Sequence, residues 1–478
     1  MKPQKHKCSS EYRDRLSEMP DEVIVHILSY LPIVDAVRTM LIRPFGTLWT
    51  WLPTLEFVLE EVLDELVPDD CYWTTDVARR FFIFVLNVLM LHKRASIDKF
   101  RLDLYYESDV IIRSKLGDLH YVSDLIKRSE LGNDIRMCLK LALDKKPRAI
   151  YFGDGGNQEL SSSSDYPNFI SESLVTLELT SLIIYPKLQV NLGSLKELTL
   201  DYVTMSEEEF QKFISGCPSL QVLHIDSPSD IRNLSFSAPN IRKLFLRLEE
   251  EYSDDEEPWV LDFPNLKSLD LDLFYGIPDI IHMDVSCVRD VSVCFSQMAD
   301  ENQRRKFKLF LNKFSQSEVL RLSDYASETF LHLLDDWHLL QIRWKRIVLE
   351  LKILCQDCLL GVYQLMTSSK DDLEELVIYT DTSLRGIAKL PPVELSYPCV
   401  MPKLKTVTLH GYAKPWEHQL QLVEFLLKSG IVLEKLVIVP NKCRRPNKSQ
   451  LTAEEKLDFV MHVSSFQRSS PSARVLFL

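Results

Sequence analysis

The feature that most constrains the fold is an apolar pattern, Leu-x-x-Leu-x-Leu with aliphatic substitutes, which recurs from about residue 97 onward. Its clear copies are Ile97/Phe100/Leu102, Leu174/Leu177/Leu179, Leu195/Leu198/Leu200, Leu220/Leu223/Ile225, Ile241/Leu244/Leu246, Leu266/Leu269/Leu271, Val288/Val291/Val293, Leu373/Leu376/Ile378, Leu404/Val407/Leu409 and Leu433/Leu436/Ile438. Weaker copies lie at Leu320/Leu322 and Ile347/Leu349/Leu351. The central leucines are 21 residues apart from Leu177 to Leu198 and 25 apart from Leu198 to Leu223. This spacing is typical of a solenoid of short repeats.

Each repeat of such an array must bury a strand and a returning segment against its neighbours. The segment before Leu220 shows both parts. Ser206 and Glu209 form a capping box, Phe210 and Phe213 lie on a buried helical face, and Gly216 ends the helix. The pattern predicts an α/β fold, an irregular leucine-rich-repeat solenoid with parallel strands on its concave face.

A short helical module precedes the array. Pro20 fits a first helical turn, and Asp21 and Glu22 favour the positive end of a helix dipole. The apolar residues that follow lie on one helical face: Val23, Ile24, Ile27, Leu28 and Leu31. Pro32 stops this helix, and Asp35 can cap a second short one. About forty residues cannot build a self-sufficient core, so apolar surface should remain exposed for a partner.

This segment resembles the F-box of plant F-box/leucine-rich-repeat proteins that end in an FBD domain. The matching residues are Asp14-Arg15-Leu16-Ser17, Met19-Pro20-Asp21-Glu22-Val23, the run from Ile27 to Pro32, Asp35-Ala36-Val37-Arg38-Thr39 and Leu48-Trp49-Thr50. One departure is Arg43-Pro44-Phe45-Gly46, where the family usually has a Ser/Lys/Arg/Trp stretch. A proline and a glycine at this place should shorten or distort the third helix.

The C-terminal part, from Pro398 to Leu478, resembles the FBD domain. The match rests on Met401-Pro402-Lys403-Leu404-Lys405, the helix Glu417 to Ser429, Leu433-Glu434-Lys435-Leu436-Val437-Ile438, and a closing helix and strand. The resulting organisation is an F-box at 11–57, a helical connector at 58–96, which includes a helix from Ala78 to His92, leucine-rich repeats at 97–397 and a capping FBD region at 398–478.

The resemblance implies a substrate-recognition subunit of a Skp-cullin-F-box type E3 ubiquitin ligase, which performs no bond chemistry itself. It also implies docking on a Skp-family adaptor, and through it on cullin, by six apolar anchors: Leu16, Pro20, Ile27, Leu28, Leu31 and Pro32. The alternative is a leucine-rich-repeat scaffold whose F-box is degenerate and which has no ligase role. The departure at Arg43–Gly46 motivates it.

The concave face of such an array is made by the non-leucine strand positions. These include Glu178, Thr199, His224, Phe245, Asp270, Ser292, Val377, Thr408 and Val437. Only Lys243, Arg247 and Arg321 are basic nearby, too few for an inositol phosphate pocket. We therefore expect a protein target, bound through His224, Phe245 and Asp270. The alternative for Phe245 is that it packs under the acidic segment that follows it at 249–257.

Charge and cysteine usage narrow the remaining classes. A net charge of −13 argues against nucleic-acid binding, which needs clustered lysine and arginine. The ten cysteines lack paired spacing and suit reduced thiols in the cytoplasm or nucleus; the single Cys355/Cys358 pair has no second pair at zinc spacing. The polar start and the short apolar runs predict neither a signal peptide nor a membrane span. No catalytic motif, metal site or cofactor is expected.

Overall fold

The computed structural model describes most of the chain, and the account below is confined to the residues it describes. These are 18–42, 45–59, 61–62, 75–104, 131–153, 168–184, 189–227, 236–249, 259–274, 280–283, 285–295, 300–333, 343–351, 356–369, 371–380, 400–412, 417–440 and 452–478. The chain forms two compact units, Met1–Leu220 with Pro228–Ile231, and Gln221–Ser227 with Arg232–Leu478.

The first unit begins with the helical module. It contains α1 (Asp21–Leu28), α2 (Ile33–Arg38) and two single 3-10 turns, Thr39–Leu41 and Leu48–Trp51. Both helices start directly after a proline, whose carbonyl accepts the first helical hydrogen bonds: the Pro20 oxygen from the Val23 amide at 3.0 Å, and the Pro32 oxygen from the Ala36 amide at 2.9 Å.

The prediction that Asp35 caps the second helix is wrong. Pro32 occupies the N-cap position of α2 and Asp35 lies one turn inside, where its carboxylate is 3.4 Å from the Arg38 guanidinium. A proline side chain has no hydrogen-bond acceptor, so α2 has no side-chain cap.

The repeat sheet begins earlier than the pattern predicted. Residues Thr54–Val58 form β1, which pairs in parallel with β2 (Lys99–Asp103), although the sequence analysis placed them in the F-box and connector. The helix predicted for the connector is α3 (Thr75–Leu91). Leu55 and Phe57 of β1 are fully buried. Leu52, Leu55 and Phe57 carry the repeat spacing, so this strand was detectable in the sequence.

The remaining elements of the first unit continue the sheet in parallel. They are α4 (Leu131–Asp144), β3 (Ala149–Gly153), β4 (Phe169–Ile170), β5 (Thr176–Thr180), β6 (Val190–Asn191), β7 (Glu197–Asp201) and α5 (Glu207–Ser215). β2 pairs with β3, β3 with β5 and β5 with β7, while β4 and β6 pair with each other. Equivalent leucines lie side by side, Leu177 next to Leu198, so the leucines of successive repeats form one buried row.

Helix α5 confirms the predicted capping box. The Glu209 amide donates to the Ser206 hydroxyl and the Ser206 amide donates to the Glu209 carboxylate. The helix ends at Gly216, as predicted, and a Cβ there would lie 2.5 Å from the Val190 carbonyl oxygen. Glycine is required because the returning strand β6 approaches the backbone closely.

The second unit is built the same way. Its elements are β8 (Val222–Asp226), β9 (Phe236–Ser237), β10 (Lys243–Leu248), β11 (Trp259–Asp262), β12 (Ser268–Leu273), β13 (Ile280–Met283), β14 (Asp290–Phe295), α6 (Glu301–Lys313), β15 (Val319–Asp324), α7 (Tyr325–Leu333), β16 (Arg346–Leu351), α8 (Gln356–Ser368), β17 (Glu375–Thr380), β18 (Thr406–Tyr412), α9 (Glu417–Ser429), β19 (Lys435–Pro440), α10 (Ala453–Ser465) and β20 (Arg474–Phe477).

The predicted parallel-strand leucine-rich architecture is confirmed. Every pairing of successive repeat strands from β8 to β20 is parallel. The returning segments change along this unit: β9, β11 and β13 form a small parallel sheet, whereas α6 to α10 are helices. The helix predicted from Glu417 to Ser429 has those bounds. None of the helices in the described part combines the length and hydropathy needed to span a bilayer.

Candidate protein-binding surfaces

Helix α1 divides its apolar residues between two faces. Ile24 and Leu28 are 1% exposed and face the module's interior, where α1 packs against the 3-10 turn Leu48–Trp51. Val23, Ile27 and Leu31 are 42%, 39% and 41% exposed. These three are spaced four residues apart and form an outward apolar stripe, which we call the α1 stripe.

Leu28 is therefore wrongly assigned as an adaptor anchor. A helical face wide enough to include it also includes Ile24, and the small module needs both for its own core. Of the other predicted anchors, Pro20, Ile27, Leu31 and Pro32 are exposed, and Leu16 lies outside the described residues. Tyr30, Met40, Leu41, Ile42 and Trp51 are also exposed apolar residues of this module, a set that the sequence analysis did not assign to the anchors.

The third helix of the module is reduced to one 3-10 turn, Leu48–Trp51, in the residues described. Gly46, just before it, has a φ of 25°. Arg43 and Pro44 lie outside the described residues. The expected shortening at the Arg43–Gly46 departure thus agrees with the local backbone, yet Trp49 and Leu52 stay buried and the module keeps its core.

The module is joined to the first strands by hydrogen bonds. The Lys93 amide donates to the Thr50 carbonyl at 2.9 Å, the buried His92 Nε2 donates to the Leu52 carbonyl at 2.9 Å, and the Asp98 amide donates to the Pro53 carbonyl at 2.7 Å. Burial lowers the pKa of His92, which keeps this imidazole neutral. The α1 stripe is consequently carried on a support continuous with β1 and β2.

The second candidate surface is the face of the second unit's sheet that lies opposite the leucine core, hereafter the open face. Its central positions stand in register across the strands, and the predicted target residues occupy three of them: His224 on β8, Phe245 on β10 and Asp270 on β12. The His224 and Phe245 rings are 3.9 Å apart between centroids, tilted by 51°. The structure thus brings together all three predicted target residues.

The surroundings of His224 and Asp270 disfavour the charged forms of these two side chains. Burial lowers the pKa of His224, an effect that nearby Asp226 opposes. Burial also raises the pKa of Asp270, while a hydrogen bond from Ser292 on the next strand acts against the shift. A neutral imidazole on a phenyl ring, beside a carboxylate with little solvation, makes this row a half-buried patch of mixed aromatic and polar character.

The basic residues near this row are held by carboxylates. Arg247 donates from Nη1 to Asp226 at 3.0 Å and from Nε to Asp272 at 2.8 Å, and Arg321 donates from Nη1 to Asp290 at 2.6 Å. Lys243 is exposed at the amino end of β10. Both guanidiniums already bind carboxylates, so their positive charges are neutralised around His224, Phe245 and Asp270.

Two other sequence predictions concern residues that lie wholly or partly outside the described ranges. The acidic segment proposed to cover Phe245 falls almost entirely within 250–258, outside the described residues. Cys355 also lies outside them, whereas Cys358 is a buried free thiol. Within the part of the chain that the structure describes, no group of three or more His, Cys, Asp or Glu side chains is arranged to hold a metal ion.

The open face of the first unit is likewise charge-paired. Lys99 Nζ lies 3.1 Å from the Glu56 carboxylate and 4.8 Å from the centroid of the Tyr151 ring, and Arg101 donates to Asp103 at 2.7 Å. The Asp103 hydrogen bond raises the pKa of Arg101. Among the described residues, this face carries charges of both signs and no continuous row of apolar side chains.

The fold and these surfaces define a leucine-rich-repeat protein with a helical N-terminal module, and comparison with known proteins agrees. The family profile described as "FBD-associated F-box protein At5g56370, LRR repeats" matches residues 161–288, and the profile described as "FBD" matches residues 396–438. The chain thus contains the leucine-rich repeats and the FBD domain that the sequence predicted.

The similar proteins come from Arabidopsis thaliana. F-box/FBD/LRR-repeat protein At5g56420 is 24% identical over 292 residues, 58% of this chain and 61% of the relative. FBD-associated F-box protein At5g38590 is 30% identical over 268 residues, 54% of this chain and 56% of the relative. F-box/FBD/LRR-repeat protein At2g26030 is 23% identical over 498 aligned residues, 97% of this chain and 99% of the relative.

The chain spans about half to two thirds of the length of four Arabidopsis relatives, At5g56420 and At5g38590 among them, between 48% and 66%. The matches confirm the resemblance to plant F-box/leucine-rich-repeat proteins with a C-terminal FBD domain.

Proposed function

We propose that this chain is the substrate-recognition subunit of a Skp-cullin-F-box type E3 ubiquitin ligase, acting in the cytoplasm or nucleus. The α1 stripe would bind a Skp-family adaptor, and through it cullin, and the open face of the second unit would bind a protein target. The chain itself would carry out no bond chemistry. Its contribution is proximity, because holding a target near the ubiquitin-conjugating enzyme raises the effective concentration.

The observation that carries this proposal is the division of α1. Ile24 and Leu28 complete the module's core, whereas Val23, Ile27 and Leu31 keep 39% to 42% of their surface exposed among the described residues. Apolar side chains in this arrangement are typical of a helix that docks on a partner. The names of the relatives, F-box/FBD/LRR-repeat protein and FBD-associated F-box protein, support the same proposal.

The test is titration calorimetry of the full chain with a purified plant Skp-family adaptor. The double variant Ile27→Asp with Leu31→Asp should lose on the order of 2 kcal/mol or more of binding free energy, because a few anchors dominate an interface. The matched control is Leu309→Asp with Met461→Asp, which makes the same number of apolar-to-aspartate changes at residues of α6 and α10 that are 60% and 64% exposed. Wild-type affinity in the double variant would refute the proposal. Leu28→Asp is unsuitable, since it would unfold the module.

The target part of the proposal rests on the His224–Phe245–Asp270 row. Phe245→Glu should abolish target capture from the native tissue while leaving adaptor affinity unchanged, because these side chains point away from the leucine core. Tyr379→Glu is the matched control: the Tyr379 ring stacks on His410 of the next strand, 4.2 Å between centroids, on the same open face but five repeats from Phe245 along the sheet. An unchanged set of co-purified proteins in a stably folded Phe245→Glu protein would remove this row from the site.

The second candidate is a leucine-rich-repeat scaffold with a degenerate F-box and no ligase role. The single 3-10 turn at Leu48–Trp51 favours it, because a shortened third helix presents less surface to an adaptor. The same calorimetry separates the two functions: a folded wild-type chain without measurable adaptor binding would leave the scaffold.

A further inference from the structure

The last strand, β20, is an edge strand of the second unit's sheet. Among the described residues it pairs with β19 and has no strand on its other side. The Arg474 amide donates to the Glu434 carbonyl at 3.0 Å and the Leu478 amide to the Ile438 carbonyl at 3.1 Å, both toward β19. Because amides alternate along a strand, those of Val475 and Phe477 point to the open edge.

The apolar side chains of β20 are incompletely covered on both faces. On β19, the core residues Leu436 and Ile438 are 0% and 1% exposed, whereas their partners on β20, Val475 and Phe477, are only half-buried. On the open face Leu476 is 40% exposed, and Leu478 is 74% exposed. An added strand would find apolar side chains on both sides of the edge, which is what strand addition uses.

Two like charges stand opposite each other at the start of this edge. Lys435 and Arg474 are direct partners in the β19–β20 register, both are exposed, and neither has an ion-pair partner in the part of the chain described. The equivalent position on β16 and β17 holds Arg346 and Glu375, which pair at 3.2 Å. Like charges directly opposite in a sheet are unfavourable, and an anionic group supplied from outside would relieve the repulsion.

We propose that the β20 edge binds an extended acidic peptide of a partner protein, by strand addition. The peptide's backbone would pair with the Val475 and Phe477 amides and its aliphatic side chains would cover Leu476 and Phe477. Its Asp or Glu carboxylates would lie over Lys435 and Arg474. The site is separate from the α1 stripe and from the His224–Phe245–Asp270 row.

Charge complementarity selects this occupant over a second copy of the chain. The β20 segment reads Arg474-Val475-Leu476-Phe477-Leu478 and has no acidic side chain. Pairing it with itself would bring further arginines to the edge and no Asp or Glu.

The test uses the whole 478-residue chain and two synthetic peptides. One peptide carries two glutamates before a run of four aliphatic residues, and the other carries them after it. Binding is followed by fluorescence anisotropy. We expect saturable binding that weakens at least tenfold in Lys435→Glu with Arg474→Glu and returns with peptides carrying lysine for glutamate. The matched control, Lys196→Glu with Lys267→Glu, makes the same charge change at exposed lysines elsewhere and should leave binding unchanged.

Strand addition has its own readouts. Peptide binding should slow hydrogen exchange at Val475 and Phe477, and N-methylation of alternate peptide amides should abolish binding. Equal affinity of acidic and basic peptides, binding without protection of those amides, or no binding at all would overturn the proposal. So would a dimer, seen by sedimentation, that Arg474→Glu dissociates, because it would assign the edge to a second copy.

Discussion

Two stretches of the second unit share one backbone plan and differ in what they display. From β8 to β15 the central open-face positions are His224, Phe245, Asp270, Ser292 and Arg321, and carboxylates on neighbouring positions bind Arg247 and Arg321. From β16 to β20 they are Val348, Val377, Thr408, Val437 and Leu476. We call these the charged half and the aliphatic half.

The leucine side of both halves is the same, so the difference lies in the interleaved residues. Leu269 and Leu271 in the charged half, and Leu376 and Ile378 in the aliphatic half, are all at most 2% exposed. Burial of these side chains stabilises the repeat, and the positions between them are released from that constraint. Recognition can therefore differ between halves without any change of fold.

The largest effect should come from cutting the sheet within the charged half. Truncation after Leu271 would remove β14, which pairs with β12 on the side opposite β10, and would leave Leu269 and Leu271 at an open end. Since each repeat buries its leucines against its neighbours, we expect loss of solubility and of cooperative melting, measured by light scattering and circular dichroism. A soluble fragment that melts cooperatively would show that the repeats before the cut fold independently, contrary to the expectation that residues 97–478 fold as one unit.

The next effect tests whether the aliphatic half tolerates charge. Val377 is 4% exposed, so Val377→Asp should destabilise the fold by about 3 kcal/mol in urea denaturation, because a buried carboxylate loses its hydration. Val437→Asp is the control at the same register position on β19, where the half-buried side chain can reach water, and its loss should be smaller. Equal losses at both positions would mean that burial does not set the tolerance.

A smaller effect is expected for the ion pairs of the charged half. Arg247→Ala breaks contacts with Asp226 and Asp272 and leaves Asp226, which is 8% exposed, without its guanidinium. We expect a loss of about 1 kcal/mol, because the arginine itself is partly solvated. The loss should shrink as salt screens the pairs. A loss that does not depend on salt would assign the effect to packing of the arginine stem.

Much of this organisation could be predicted from the sequence, because leucine spacing reports a buried row directly. Every repeat copy identified by pattern became a strand, and the Ser206–Glu209 capping box formed. The Leu52/Leu55/Phe57 copy was missed because it overlaps the end of the helical module. The strands β9, β11 and β13 were not predicted, because two to four residues are too few to show a hydrophobic period.

The surfaces were less accessible to sequence reasoning. Leu28 and Ile27 are adjacent and equally apolar, and only the packing of α1 on the Leu48–Trp51 turn decides which is buried. The His224–Phe245–Asp270 row was predictable because the register of parallel repeats aligns equivalent positions. The placement of Lys435 opposite Arg474 was not predictable, because it depends on β20, whose repeat pattern is incomplete.

The smallest effect concerns the pH dependence contributed by Asp270. Burial raises its pKa in the folded protein above the ordinary value of 3.8, so folding favours the protonated carboxyl. Stability from this group is therefore full below the unfolded pKa and falls as pH rises through the raised folded pKa. Asp270→Asn should remove this loss: its stability relative to wild type should increase from acid to neutral pH, by less than about 1 kcal/mol in a partly solvated site.

The Ser292 hydroxyl donates to the Asp270 carboxylate and opposes the rise in its pKa, so Ser292→Ala should steepen the pH dependence of stability seen in the wild type. Urea denaturation across this pH range measures both differences. A pH dependence of Asp270→Asn identical to wild type would show that the charged half is open to water at its centre, and the distinction between the halves would then rest on side-chain type alone.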